Sequence, residues 1–148
     1  MIAIYDLDDG WDETHDDWHS HEHMHERVRI PGFLRGRRYV ADRDAKRCFV
    51  LYEADSLDVL TSQAYLECLN NPTPLSLETM PHFRNMTRTL SRVTVSVGRG
   101  LGGKMAYIPL SPESSRVSEF RNGIEKILEG LVKQPGTLAA HLLEADGE

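Results

Sequence analysis

The sequence predicts an α+β protein with antiparallel strands, and three observations carry that prediction. Strand-like and helix-like patterns run in the order β-α-β-β-α-β over residues 1–97, which is the split βαβ, or ferredoxin-like, unit. A β-α-β pattern then begins again after a glycine-rich stretch. Finally, an offset of 104 superposes the two starts without a gap. Met1 falls on Met105, Ile4 on Ile108, Val28 on Val132, Pro31-Gly32 on Pro135-Gly136, Leu34 on Leu138 and Ala41-Asp42 on Ala145-Asp146. A shared register across two strands and a helix stop reads as an internal duplication. The expected organisation is a ferredoxin-like repeat at 1–97, a glycine-rich turn at 98–103 and a partial second repeat at 104–148 sharing the same core.

Residues 1–7 (MIAIYDL) read as a strand, and 12–29 as a helix stopped by Pro31-Gly32. Residues 33–41 and 47–54 read as two strands, with polar 42–46 as the turn between them. Ser56 is the expected N-cap of a helix through Leu57, Leu60, Ala64 and Leu69, ended by Asn70-Asn71-Pro72. Residues 72–90, with Pro72, Pro74 and Pro81, read as an irregular connection. Residues 92–97 alternate as RVTVSV, a half-buried strand, and Met105–Leu110 as a further one. The spacing of Val117, Phe120, Ile124, Ile127, Leu128 and Leu131 predicts an amphipathic helix. Gln134-Pro135-Gly136 ends it, and Thr137–Ala145 reads as the last strand.

At 148 residues and 40% apolar, the chain is the size of one ordinary domain or two very small ones. No apolar run approaches the roughly 20 residues of a membrane span, and no basic n-region precedes an apolar stretch at the N-terminus. Cys48 and Cys68 make no metal or redox spacing. The expectation is therefore a cytoplasmic protein with two free thiols and no membrane partner. The net charge of −6 hides an asymmetry: residues 1–26 carry nine acids and no Lys or Arg, whereas 27–47 carry eight basic residues. Acids beside the basic block would repel phosphate, so no nucleic-acid partner is expected.

The run Trp18-His19-x-x-Glu22-His23-x-x-Glu26-Arg27, then Ile30-Pro31-Gly32-Phe33 and Arg37-Arg38-Tyr39, resembles the EthD-like branch of the dimeric α+β barrel superfamily. Leu51-Tyr52-Glu53 and Asn71-Pro72-Thr73-Pro74 add to the likeness. The resemblance covers roughly residues 1–100, with the rest as a partial repeat. It implies two ferredoxin-like units paired sheet against sheet around a cavity, and a homodimer or higher homo-oligomer. It also implies a small-molecule ligand and, for many members, cofactor-free chemistry on aromatic or polyketide-like compounds.

His21-Glu22-His23-Met24-His25 matches H-E-x-x-H, which on a helix could grip zinc with Glu22 as base. The segment is so rich in histidine that chance matches are expected, and no third ligand sits at metzincin spacing, so no metal is assigned. His15, His19 and His23 fall at i, i+4, i+8, the pattern of a surface histidine patch. Gly98-x-Gly100-x-x-Gly103-Lys104 mimics a phosphate loop but precedes a strand pattern instead of a helix. No nicotinamide or flavin motif is visible, and no cofactor is expected.

The duplication places Ile127 opposite His23 and Leu131 opposite Arg27, so His23 and Arg27 are expected on a sheet-packing face. The helix's own apolar pattern points instead to Trp18, His21, His25 and Val28. On the second strand, period two puts Phe33, Arg35, Arg37 and Tyr39 on one face. The functional expectation is a cofactor-independent isomerase, cyclase or lyase acting on a small aromatic or carbonyl compound. His23 and Tyr39 would be the catalytic pair, with His23 as acid/base. Trp18, His19, Arg27, Arg37 and Tyr52 would bind substrate. The alternative is a non-catalytic ligand-binding or structural dimer with a surface histidine patch.

Overall fold

The structure, a computed structural model, describes residues 1–41 and 47–146, with Arg47 described through its backbone. The turn expected at 42–46 lies outside them. The chain divides into two compact units, Met1–Leu90 and Ser91–Glu148.

In the first unit, β1 (Ile2–Leu7) is flanked by antiparallel β3 (Arg47–Ala54) and β4 (Phe83–Thr89), and β2 (Phe33–Val40) lies outside β3. Among the described residues this sheet has the order β2-β3-β1-β4 with every pairing antiparallel. That is the strand order of the split βαβ unit. A helical run of α1 (Asp12–Trp18), a π-helical turn (His19–His23) and α2 (Met24–Val28) follows β1. The run stops where Gly32 takes a φ of 93°, a left-handed turn that a Cβ would strain.

Alternation along the strands sorts the core. Ala3, Tyr5 and Leu7 of β1 and Cys48, Val50 and Tyr52 of β3 face the helices and are buried with Leu60 and Tyr65. Each large apolar side chain removed from water there contributes about 1.5–3 kcal/mol. A bulge between Phe33 and Arg35 breaks the simple alternation of β2. Phe33 packs on Tyr52 and Tyr65 in the core, while Arg35 and Arg37 bond Glu53 on the reverse face. Phe33 therefore does not share a face with Arg35, Arg37 and Tyr39.

Three further departures have local causes. The Pro-rich stretch 72–90 is not an irregular connection. It holds α4 (Pro74–Thr79), capped by Thr73, whose hydroxyl accepts from Ser76 N–H at 3.1 Å, and then β4. Proline at the first turn costs a helix nothing, because that N–H has no partner in any case. The helix expected from Ser56 opens as a 3₁₀ turn, Leu57–Thr61, and the α-helix α3 (Gln63–Asn70) is capped by Ser62. Met105–Leu110 forms no strand.

In the second unit, β5 (Ser91–Gly98) pairs antiparallel with β6 (Ala139–Ala145), beside α5 (Val117–Leu131). Residues 92–97, which the pattern assigns to the first repeat, thus pair within the second unit. An offset of 104 carries α5 onto residues 13–27, and the paired glycines Gly32 and Gly136 both have positive φ. The expected packing of Ile127 and Leu131 on a sheet is not found. They are 56% and 44% exposed, and Leu128 is the buried residue, because a two-stranded sheet covers only one flank of the helix.

Candidate functional site

A cavity of about 80 Å³ lies in the first unit between the helical layer and the sheet. The sheet supplies Tyr5 of β1, Tyr52 of β3 and Phe83 of β4, and the helical run supplies Trp18, His19, His23 and Arg27. The π-helical turn aims these residues. Widening the helix to i→i+5 bonding stacks residues five apart, and the rings of Trp18 and His23 sit 4.4 Å apart, centroid to centroid. Trp18 is 1% exposed and donates its indole N–H to Ser76 Oγ at 3.0 Å, which ties α1 to α4. With that ring fixed, His23 is turned inward.

Two polar groups at this cavity have no hydrogen-bond partner. His23 Nδ1 and Tyr52 Oη are buried without a hydrogen bond. The carboxylate nearest His23 Nδ1, Glu26 Oε2, stands at 3.8 Å, beyond hydrogen-bond reach. Arg27, 8% exposed, donates to Cys68 Sγ at 2.8 Å and lies over the Tyr65 ring. Arg88 donates to Tyr65 Oη. A buried polar atom left unpaired costs free energy comparable to a lost hydrogen bond, so the unpaired pair marks a place where a ligand's polar groups would be accepted.

Burial sets the charge states. Desolvation, then the Arg27 guanidinium and His15, push the His23 pKa down to about 3. Desolvation, with His23, Arg38 and His15 adding to it, pushes His19 down to about 2. Both imidazoles are neutral at pH 7. Burial raises the pKa of Tyr5 and of Tyr52, which stay protonated. The cavity thus offers neutral donors and acceptors beside two guanidinium groups, those of Arg27 and Arg88.

Of the residues expected at a site, Trp18, His19, His23, Arg27 and Tyr52 meet at this cavity. Arg37 and Tyr39 do not. They lie on the reverse face of the sheet, where Arg37 Nη2 donates to Glu53 at 2.5 Å and Tyr39 packs edge-on to Phe49. Arg35 and Arg37 hold the Glu53 carboxyl below its ordinary pKa although burial pushes it up. The histidine patch is not on the surface either: His15 and His19 are 0% and 2% exposed. His21 is exposed and bonds Asp17. His21 lies in the π-helical turn and His25 in α2, and among the described residues no cluster of three metal-ligating side chains forms. Reading the sequence missed Tyr5, Tyr65, Phe83 and Arg88. The alternation Ala3, Tyr5, Leu7 could have found the first; β4 carries too few apolar residues to reveal the others on it.

A larger groove of about 270 Å³ runs past Pro112, Arg116 and Phe120 in the second unit. Arg116 and Glu119 there are exposed and paired with each other, so the groove offers less to a ligand than the smaller cavity.

No family model matches the chain, and no curated protein does. The structure is similar to the crystal structure of a candidate monooxygenase from Fusobacterium nucleatum, with a TM-score of 0.61 over 98% of this chain and 68% of that one. The shared fold is α+β with antiparallel sheets. Identity between the two chains is 12%, so the likeness speaks for fold alone. Among the described residues, no helix is long and apolar enough to cross a membrane.

Proposed function

We propose that the cavity binds a small aromatic or carbonyl compound and that the protein is a cofactor-independent enzyme of the EthD-like kind, assembled as a homo-oligomer. The observation that carries this reading is the pair of unpartnered buried atoms, His23 Nδ1 and Tyr52 Oη, beside Arg27. By water-sized volume the cavity holds roughly half a dozen waters, the size of a single-ring compound. Trp18 and Phe83, whose ring planes are inclined at 60° with centroids 5.9 Å apart, give a flat ring aromatic walls to lie against. His23, neutral at pH 7, takes a proton from a carbon next to a carbonyl. The electron pair moves onto the carbonyl oxygen, and that negative charge rests against Arg27. A base whose pKa lies near 3 is weak in the empty site. The substrate anion formed in the same step offsets the neighbouring guanidinium and strengthens it. Tyr52 donates to the same oxygen.

The test is ligand-observed NMR with single-ring phenols and aryl methyl ketones, followed by assay of the ketones that bind for exchange of their α hydrogen. The expected result is binding that perturbs the Trp18 indole and is lost, together with turnover, in His23→Ala, while the melting temperature stays within a few degrees. Binding without any turnover would favour the non-catalytic, ligand-binding alternative. Binding that leaves Trp18 unperturbed, or no binding, would overturn the assignment of this cavity.

A further inference from the structure

Tyr5 lines the cavity, and its hydroxyl lies 2.8 Å from His15 Nε2. His15 is fully buried, and burial lowers its pKa, so the ring is neutral. Its other nitrogen, Nδ1, faces two groups: Arg38 Nη1 at 3.1 Å and Asp16 Oδ1 at 3.3 Å. The two make opposite demands. A guanidinium N–H only donates, so it requires Nδ1 to accept; a carboxylate only accepts, so it requires Nδ1 to carry the proton. The carboxylate already has a donor, since Arg38 Nη1 gives one hydrogen to Asp16 Oδ1 at 2.5 Å. The second hydrogen on that nitrogen is the one that meets His15. A proton on Nδ1 would stand against it, donor to donor.

We propose that Arg38 fixes His15 as its Nε2–H tautomer, so that His15 donates to Tyr5 Oη and the Tyr5 hydroxyl hydrogen is left to bind an oxygen of the ligand in the cavity. Tyr5 then becomes a ligand-binding residue that selects for a carbonyl or phenolate oxygen. Arg38, which touches no ligand, is a positioning residue acting through His15. In the opposite tautomer Tyr5 would give its hydrogen to His15 and present the cavity with a lone pair. The ligand half of the proposal rests on the cavity being the functional site; the tautomer half does not.

Long-range ¹H–¹⁵N correlation spectra of the full chain at pH 7 report which imidazole nitrogen carries the proton. The expected spectrum for His15 has a protonated Nε2 and an unprotonated Nδ1; the reverse overturns the proposal without any mutation. In Arg38→Met, the proton is expected to move to Nδ1, where Asp16 accepts it. An Nε2–H tautomer that persists in a folded Arg38→Met protein would remove Arg38 from the scheme. For the ligand half the probe is benzaldehyde, titrated against the native protein and Tyr5→Phe. Binding about tenfold weaker in Tyr5→Phe is expected for one lost hydrogen bond. Equal affinity shows that Tyr5 does not donate. If benzaldehyde binds neither protein, the ligand half falls with the cavity assignment while the tautomer result stands.

Discussion

Neutral histidines in a dry place make this protein sensitive to acid. The imidazoles of His19 and His23, with pKa values near 2 and 3 in the fold, return to about 6.5 in an unfolded chain. Below pH 6.5 the unfolded chain takes up protons that the folded one refuses. The stabilisation is therefore complete above pH 6.5 and drains away as pH falls toward 3, with a slope of at most about 1.4 kcal/mol per pH unit for each histidine. Denaturant midpoints at pH 7.5, 6 and 5 should fall in that order, and His19→Asn should flatten the slope. A midpoint that holds constant to pH 5 would show that the histidines are not buried neutral. Glycine at position 36 is a second residue-scale requirement. A Cβ there would sit 2.0 Å from Met24 Sδ and 2.9 Å from a Tyr52 ring carbon. Gly36→Ala is expected to cost about 1–3 kcal/mol by overpacking, read as a lower midpoint in chemical denaturation. The alignment of the two copies picked His23 and Arg27 as inward residues by taking Ile127 and Leu131 to pack on a sheet; that premise fails, since both are exposed, although His23 and Arg27 do line the cavity. The apolar pattern of the helix picked His21 and His25 because it assumed 3.6 residues per turn through a segment that widens to a π turn.

At the scale of elements, local signals were legible where one residue type has one meaning. Pro31-Gly32 stops the first helical run, and the alternation in β1 and β3 follows the pleat. Signals failed where a residue has two meanings. Pro74 reads as a breaker but occupies a helix start, and β4 is an edge strand whose exposed FRNMTRT sequence has no apolar face to betray it. Met105–Leu110 has the reverse fault, since its apolar content suggests a strand while the structure places no ladder there. The duplication found the helix and the glycine turn but not this segment. Gly123 in the middle of α5 gives a direct test of the helix itself. Its position has no atom within 4 Å of an added Cβ, so Gly123→Ala should stabilise α5 by about 0.5–1 kcal/mol. Hydrogen exchange of the α5 amides should slow to match, and unchanged or faster exchange would mean that α5 does not form the helix described.

At the scale of the molecule, the two units are unequally equipped to stand. The first has a four-stranded sheet, and every member of the main core cluster belongs to it. The cavity and the histidine column also lie wholly within it. The second has a two-stranded sheet among the described residues, and Leu128 is its one buried hydrophobic side chain there. A two-stranded sheet is marginal in water by itself, and a unit of about 60 residues hides too little surface to offset chain entropy without a good core. Arg121 and Glu144 make a bidentate pair between α5 and β6, but exposed ion pairs contribute little. A fragment ending at Leu90 is therefore expected to keep a cooperative unfolding transition and the near-ultraviolet circular dichroism of a packed Trp18. A fragment of residues 91–148 should show neither a cooperative transition nor protected amides in β5 and β6. If the first fragment is unfolded, the sheet of Met1–Leu90 depends on the second unit, and the division of labour argued from burial is wrong. If the second fragment folds cooperatively, its helix and hairpin bury more than Leu128 accounts for, and the weak partner in this chain has been misjudged.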